Sequence, residues 1–359
     1  MKVIFDVRHL YYLPGYLPVY QELIQKGHEV TFVFYFSNND DLQNKIIDQY
    51  NLTTTWVESS EKALDIYKDK TIDWVIFGNR YKFLKVLHKF TKSAQLGHGI
   101  GPKRAYYGIS NTSMTVRFVE GQFRLKKLES LFPKDHFVDV GYSKLDPLFN
   151  HTEQGLDLIK LGLDPNKKTI LYAPTFNPSS LEKFPDNWPS VFSDYNILIK
   201  PHQFSLSQEK YKKHKDKLLT WSQFDNVYLS QEIEFNIIPF MKSSDILVSD
   251  TSSTILEFLS LNKPIILCKF LKLKWNYRGP LKYRYFKRMS DDFLFYEQIS
   301  EPVLHFKHLK TAIDKKLSLA GSDINIKNDF CEKFVGSTDG KASKRVVDYL
   351  NDFNGKKLQ

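Results

Sequence analysis

Residues 245–267 read DILVSDTSSTILEFLSLNKPIIL, and this stretch decides the fold. Ile246, Leu247 and Val248 form a short apolar run that suits a buried strand of a parallel sheet. Ser249-Asp250-Thr251-Ser252-Ser253-Thr254 follows as a polar turn that closes on a helix N-cap. Ile255, Leu256, Leu259 and Leu261 then recur at near-helical spacing, and Lys263-Pro264 stops the helix before the strand IILC. Strand, Ser/Thr-rich turn, short helix and strand make a βαβ unit. The start of such a helix offers backbone N–H groups and the positive end of its dipole, with hydroxyls beside them, so a phosphate or pyrophosphate fits there. Glu257, early in the helix, is placed to reach back to a ribose hydroxyl. An ordinary capped helix with an acid in its first turn reads the same way.

The rest of the chain supplies the company such a motif needs. At 359 residues two domains are expected, and 42% hydrophobic and 15% aromatic residues suffice for a sizeable core. Lys and Arg outnumber Asp and Glu by 51 to 41, which favours anionic partners. Two cysteines, Cys268 and Cys331, are too few for a disulfide framework and match no metal spacing. The opening MKVIFDVRHL turns charged within six residues, unlike a secretory signal, and no apolar run nears the ~18 residues that span a bilayer. The expectation is a reduced, cytoplasmic protein, at most peripheral on a membrane.

In chain order, KVIFDV reads as a first buried strand, followed by a helix carrying Leu17, Tyr20, Leu23 and Ile24, a Gly27 cap and the strand VTFVFY. A doubly wound domain begins this way, though without a GxGxxG fingerprint. Helices near 40–50 and 59–69 alternate with strands at TTTWV and DWVIFG. YKFLKVLHKF (81–90) reads as an amphipathic helix whose Lys82, Lys85, Lys89 and Lys92 form a cationic side. His98 lies between Gly97 and Gly99 at the end of a strand, with Lys103 and Arg104 downstream. Flanking glycines allow close backbone approach, and an exposed imidazole there can serve as general base. Gly162-Leu163-Asp164-Pro165-Asn166 is a turn before the new strand KKTILYAP, which puts the domain boundary near 150–165.

The second half repeats the pattern. TILYAP, YNILIKPH and DILVSD are strands, with Thr175 after the first, Lys200 and His202 after the second, and the Ser/Thr turn after the third. In open parallel sheets ligands bind beyond the carboxyl ends of the strands, so three such loops converge on one site. KFLKLKWNYRGPLKYRYFKR (269–288) interleaves eight basic residues with Trp275, Tyr277, Tyr283, Tyr285 and Phe286. It reads equally as a clamp for an anionic substrate, a membrane-facing patch, a single-strand nucleic-acid surface, or a basic loop with its aromatics packed inward.

Taken together, these marks resemble the CDP-glycerol glycerophosphotransferases of teichoic acid and capsule synthesis. HGIGPK (98–103), GYSKLDPL (141–148), ILYAPTF (170–176), IKPHQF (199–204) and SDTSSTILEFLSLNKPIIL are similar to that family's motifs and occur in its order. The resemblance covers about residues 95–267. It departs in three places: Pro201 precedes His202 where the family has His-Pro, Thr251 and Thr254 replace flanking aromatics, and Glu257 stands where Asp is common.

The resemblance implies an α/β protein of GT-B architecture, with two Rossmann-like doubly wound domains facing a central cleft. An acceptor domain would span 1–155 and a donor domain 156–335, with a C-terminal helix in 336–359 packing back on the first. It implies transfer of a polyol phosphate from a CDP-linked donor to a hydroxyl of a lipid-linked or polymeric acceptor, with release of CMP. His98 would be the base and His202 a second catalytic group. Thr175, Lys200, Asp250, Thr251, Ser252, Ser253, Thr254 and Glu257 would hold the donor, and Gly99, Lys103 and Arg104 the acceptor or a phosphate. No cofactor or metal is demanded, since no suitable carboxylate cluster appears. An anionic membrane surface is a further expected partner, and nucleic acid is not. A GT-B glycosyltransferase using a nucleotide sugar fits the same loops. A non-catalytic module binding anions through 269–288 is the reading from another class.

Overall fold

The computed structural model describes residues 1–37, 40–101, 107–108, 110, 112–273, 275–281, 283–284, 294–319 and 324–355. The chain divides into two compact units, one of Met1–Ile100, Ala105–Thr152 and Glu332–Gln359, the other of Gly101–Arg104 and Glu153–Cys331.

The first unit carries seven strands: β1 (Lys2–Val7), β2 (Glu29–Tyr35), β3 (Thr54–Val57), β4 (Trp74–Phe77), β5 (Lys92–Leu96), β6 (Val116–Val119) and β7 (Phe137–Asp139). They pair in parallel in the order β3-β2-β1-β4-β5-β6-β7. The order reverses between β1 and β4, the switch point of a doubly wound sheet. Both faces are covered, which explains why β4 is apolar at every position, Trp-Val-Ile-Phe, and buried throughout. Ile4, Val33, Val75 and Phe77 pack with Tyr67 and Tyr81 on one side. Phe5 stacks on Phe32 and leans on Tyr16 on the other.

The helix expected over 81–90 is a single turn, Leu84–Leu87. Tyr81 is drawn inward instead, stacked on Phe77 with its hydroxyl donating to Ser60 O at 2.9 Å. The cationic side dissolves with the helix: Lys82 pairs with Glu61 at 2.6 Å, and Lys92 sits over the Trp74 ring.

The final helix, Ala342–Gly355, is tied to the first unit by Asp146. Asp146 Oδ1 accepts from Ala342 N (3.0 Å), and Oδ2 accepts from Ser343 N (2.7 Å) and Ser343 Oγ (2.6 Å). A carboxylate remote in sequence thus caps this helix, satisfying N–H groups that the helix itself leaves without partners. Gly141, at φ +81°, passes so close to Ser337 O that a side chain there would crowd it. The Gly141–Asp146 motif therefore has a structural role.

The second unit carries β8 (Thr169–Ala173), β9 (Asn196–Ile199), β10 (Val227–Leu229), β11 (Ile246–Ser249), β12 (Ile265–Cys268) and β13 (Glu301–Val303). Their parallel order, β10-β9-β8-β11-β12-β13, repeats the first sheet's plan, with the switch between β8 and β11. Tyr172, Phe184, Trp188 and Trp221 form an aromatic cluster under the sheet. Lys263 ends the helix Ile238–Ser243 by donating to Met241 O (3.2 Å), Lys242 O (3.0 Å) and Ser244 O (2.6 Å).

Candidate active site

In the first unit, β5 delivers His98 to the carboxyl edge two residues past its end. Nδ1 of His98 lies 2.7 Å from Gly78 O, which follows β4. A carbonyl only accepts, so Nδ1 carries the proton, and in the neutral ring Nε2 keeps its lone pair. This tautomer suits a general base acting at Nε2. The rings of Tyr11 and Tyr12 lie 5.2 Å from that of His98 and hold the imidazole laterally.

Sequence reading singled out His98 and missed its supports. Tyr12 covers Gly78 so closely that a Cβ there would lie 2.5 Å from the ring. The signal for Gly78 was available: a glycine immediately after an all-apolar strand marks close approach. Gly99 is buried, whereas Lys103 and Arg104 lie outside the described residues.

In the second unit, β8, β9 and β11 lie side by side, and their carboxyl ends carry the predicted loops. With strands about 4.8 Å apart, the loops of β9 and β11 are separated by roughly 10 Å, on the scale of a diphosphate. His202 is exposed and caps the short helix Gln203–Ser207, its Nδ1 accepting from Phe204 N at 3.2 Å. The neutral ring therefore carries its proton on Nε2 and presents a donor, the opposite of His98. Phe176 and Phe204 lie 4.5 and 4.8 Å from the ring. The backbone N of Lys200 joins β8 through Tyr172 O, and its ammonium sits 5.8 Å from the centre of the Phe240 ring.

The Ser/Thr turn is half-buried, and much of its hydrogen bonding is local. Ser252 N donates to Asp250 O, Thr254 N to Ser252 Oγ and Ile255 N to Ser252 O. The N-cap is Ser253, without a side-chain bond, and the helix it opens, Thr254–Leu259, is only six residues long. Among the described residues the backbone N–H groups of Thr251 and Ser253 take no partner, so the turn retains two backbone donors beside its hydroxyls. Glu257 is 1% exposed, so its carboxylate lies beneath the surface.

Asp250 and Thr175 differ from the expectation of direct donor contact. Asp250 is completely buried. Its Oδ2 accepts from Thr175 N (3.1 Å), Ser180 N (3.2 Å) and Ser179 Oγ (3.4 Å), with Thr175 Oγ1 at 3.2 Å. Thr175 Oγ1 also lies 2.5 Å from Pro178 O, so that hydroxyl serves its own loop. Asp250 thus fastens the loop after β8 to the turn after β11. Ser179 and Ser180, the anchors on the far loop, were not singled out from sequence.

This role has a pH consequence. Burial pushes the Asp250 carboxyl from its ordinary 3.8 up to about 6. Between those values the folded chain binds a proton that the unfolded chain releases, so ionising the group costs stability as pH rises through that window. Asp250→Asn removes the cost. The stability of wild type relative to the variant is expected to fall by about 1.4 kcal/mol per pH unit from pH 4 to 6 and stay level above it. Urea melts across pH 4–8 check this.

The basic stretch is only partly described, with Lys274, Lys282, Tyr285, Phe286, Lys287 and Arg288 outside the described residues. Lys269 pairs with Glu297 (2.7 Å) and Lys272 with Glu182 (3.0 Å). Trp275 is 83% exposed and Tyr283 58%, so neither packs inward. Among the described residues no helix is long and apolar enough to cross a membrane, and no group of three or more His, Cys, Asp or Glu residues could hold a metal ion.

Two doubly wound parallel sheets with polar loops at their carboxyl edges define an α/β protein of the GT-B class. Solved structures share that fold: the wall teichoic acid polymerase TagF aligns with a TM-score of 0.69 at 17% identity, covering 100% of this chain and 90% of that one. MnaA from S. aureus, solved with UDP, aligns at 0.62 and 12%, covering 100% and 98%. The model of the CDP-glycerol:poly(glycerophosphate) glycerophosphotransferase family matches residues 7–352, and the chain belongs to that family. Among curated relatives, a teichoic acid poly(glycerol phosphate) polymerase of Bacillus spizizenii is 26% identical over 260 residues, 68% of this chain and 58% of that protein. A poly(ribitol-phosphate) polymerase of the same organism is 23% identical over 364 residues, 92% and 53%. The chain thus spans little more than half the length of these two relatives.

Proposed function

We propose that the protein transfers glycerol phosphate, or a related polyol phosphate, from a CDP-linked donor to a hydroxyl of a lipid-linked or polymeric cell-wall or capsule acceptor. The observation that carries this reading is the fixed tautomer of His98, with its proton on Nδ1 against Gly78 O and its lone pair on Nε2. Nε2 takes the proton of the acceptor hydroxyl as the oxygen attacks the polyol-bearing phosphorus. A new O–P bond forms, the bond to the bridging oxygen breaks, and CMP leaves with that electron pair. His202, donating from Nε2, and the Thr251–Ser253 turn stabilise charge on the transferring and leaving phosphates. Lys200 and Thr254 add to the donor site, and the buried Asp250 holds the loop of Thr175 to the turn. Gly99, Lys103 and Arg104 are assigned to the acceptor or to a phosphate.

Family membership and the polyol-phosphate polymers named for the relatives support this donor class. These donors are the chain's own, so chelation is expected to leave turnover unchanged. The exposed Trp275 and Tyr283, beside Arg278 and Arg284, favour a peripheral position on an anionic membrane, on the cytoplasmic face where nucleotide donors are available. Salt-sensitive sedimentation with anionic vesicles tests that placement.

Calorimetry of CDP-glycerol, CDP-ribitol, CDP and UDP-sugars, with and without magnesium, is the experiment for the reaction. Selective, metal-independent binding of a CDP-polyol is expected. Preference for a UDP-sugar would move the reaction to glycosyl transfer, and absence of nucleotide binding would overturn the enzymatic reading.

A further inference from the structure

The second unit holds a buried histidine, His214, that the proposed reaction has not used. It lies on the helix Lys212–Trp221 and is 4% exposed, so its ring nitrogens need partners within the protein. Nδ1 lies 3.3 Å from Oγ of Ser205, which is itself completely buried. Nε2 faces Glu182 Oε2 at 3.9 Å. Contacts with His214 and Lys272 hold the Glu182 carboxyl far below its ordinary 4.5, at about 2. The carboxylate is therefore ionised at neutral pH. It favours the proton of the neutral ring on Nε2, which leaves Nδ1 to accept from the Ser205 hydroxyl.

Two routes run from this ring to His202. Along the first, Ser205 N donates to His202 O at 2.8 Å, and Phe204 N, between them, donates to His202 Nδ1. The bond that holds Ser205 thus holds the turn that orients the exposed imidazole. Along the second, His214 stacks on Tyr211 at 5.2 Å, Tyr211 touches Phe176 at 5.7 Å, and Phe176 lies 4.5 Å from His202. Glu182 also ties in the start of the basic stretch. Its Oε1 pairs with Lys272 Nζ at 3.0 Å, and Lys272 N donates to Ser179 O at 2.9 Å. The helix that His202 opens has only five residues, too few to hold a shape by its own hydrogen bonds.

We infer that His214 is a positioning residue for His202, braced by Glu182 and acting through Ser205 and the Tyr211–Phe176 wall. This rests on the function proposed above, in which His202 donates from Nε2 to the phosphates. A hydrogen-bond donor stabilises a transition state only where it is already aimed at the developing charge. A displacement of about 1 Å at a reacting group can cost about 10²-fold in rate. An exposed imidazole on a five-residue helix has no such fixity of its own. Buried hydrogen bonds beneath the helix and rings beside the imidazole supply it.

The test is a double-mutant cycle on the full chain. His214→Phe keeps a ring against Tyr211 and removes both nitrogens, and Ser205→Ala removes only the hydroxyl. Each is expected to lower kcat for transfer from CDP-glycerol by about tenfold, with the donor KM within twofold of wild type. His202→Ala alone should cost about 10²-fold. Because His214 acts through His202, adding His214→Phe to His202→Ala should slow the enzyme no further. Nitrogen NMR of the His202 ring supplies a readout independent of turnover. Its two ring signals are expected to be well separated in wild type and to converge in either variant, as the fixed tautomer is lost. Thermal melts identify a variant that fails to fold, and Glu182→Gln, on a partly exposed side chain, then carries the same cycle. Unchanged kcat in the folded variants, or losses at His202 and His214 that multiply, overturn the inference and leave the transferase reading standing. A raised donor KM at unchanged kcat also overturns it, by placing His214 in donor binding. Failure of wild type to bind any CDP-polyol removes the transferase reading, and the His202 signals then decide the positioning alone.

Discussion

His98→Ala is expected to lower turnover by about 10³-fold while donor affinity stays within twofold of wild type. A positioned general base contributes on the order of 10²–10⁴. The candidate donor groups, His202 and the Thr251–Ser253 turn, belong to the other unit, so binding of CDP-glycerol should not register the loss. The Nδ1–H bond to Gly78 O makes the expectation sharper. The imidazole is committed to one tautomer, and a substitute base must deliver its lone pair where Nε2 stood. Added imidazole should therefore restore part of the alanine variant's turnover, with a saturable dependence. Single-turnover assays of transfer, paired with calorimetry of the donor, separate the two effects. Full activity in the variant would remove His98 as the base, and loss of donor binding would move it to the donor side.

How far the sequence carried the reading depends on the kind of signal. Parallel strands buried on both faces leave continuous apolar runs, so Val75-Ile76-Phe77 and Ile246-Leu247-Val248 were plain, and with them the alternation of two doubly wound sheets. His98 and His202 were legible as candidates because a histidine just beyond such a run leaves the core for the carboxyl edge of the sheet. What the chain could not disclose was the direction in which each polar group points. Asp250 sits in a turn rich in hydroxyls and reads as a ligand contact, yet its carboxylate faces inward and takes bonds from Thr175, Ser179 and Ser180, some 70 residues away. Asp146 likewise reads as a motif acid and proves to cap a helix about 200 residues on. Long-range hydrogen bonding has no periodicity, so it leaves no pattern along the chain. The helix expected over 81–90, of which only the turn Leu84–Leu87 forms, has a related cause. Its apolar spacing was real, but Tyr81 and Phe83 supply core aromatics rather than a helical stripe.

Gly78 is where those two kinds of information meet, and its replacement should be the most damaging change that removes no functional group. Gly78 O fixes the proton of His98, while the Tyr12 ring covers the Gly78 Cα. In Gly78→Ala the new methyl would stand 2.5 Å from Cγ and Cδ2 of Tyr12, close to that ring's stem rather than at a free end. Tyr12 is 3% exposed and has no open side to retreat to. Either the ring shifts, and with it the wall beside His98, or the backbone after β4 moves and displaces the carbonyl. Overpacking of this kind costs about 1–3 kcal/mol, and a displacement near 1 Å at a reacting group can cost about 10²-fold in rate. Turnover is expected to fall by that order, with a lowered melting temperature and intact donor binding. A compensating Tyr12→Leu in the same chain relieves the clash and should recover stability and part of the rate. Recovery of stability without rate would show that Tyr12 itself orients the imidazole. An alanine variant with wild-type turnover would separate the Gly78 carbonyl from the positioning of His98.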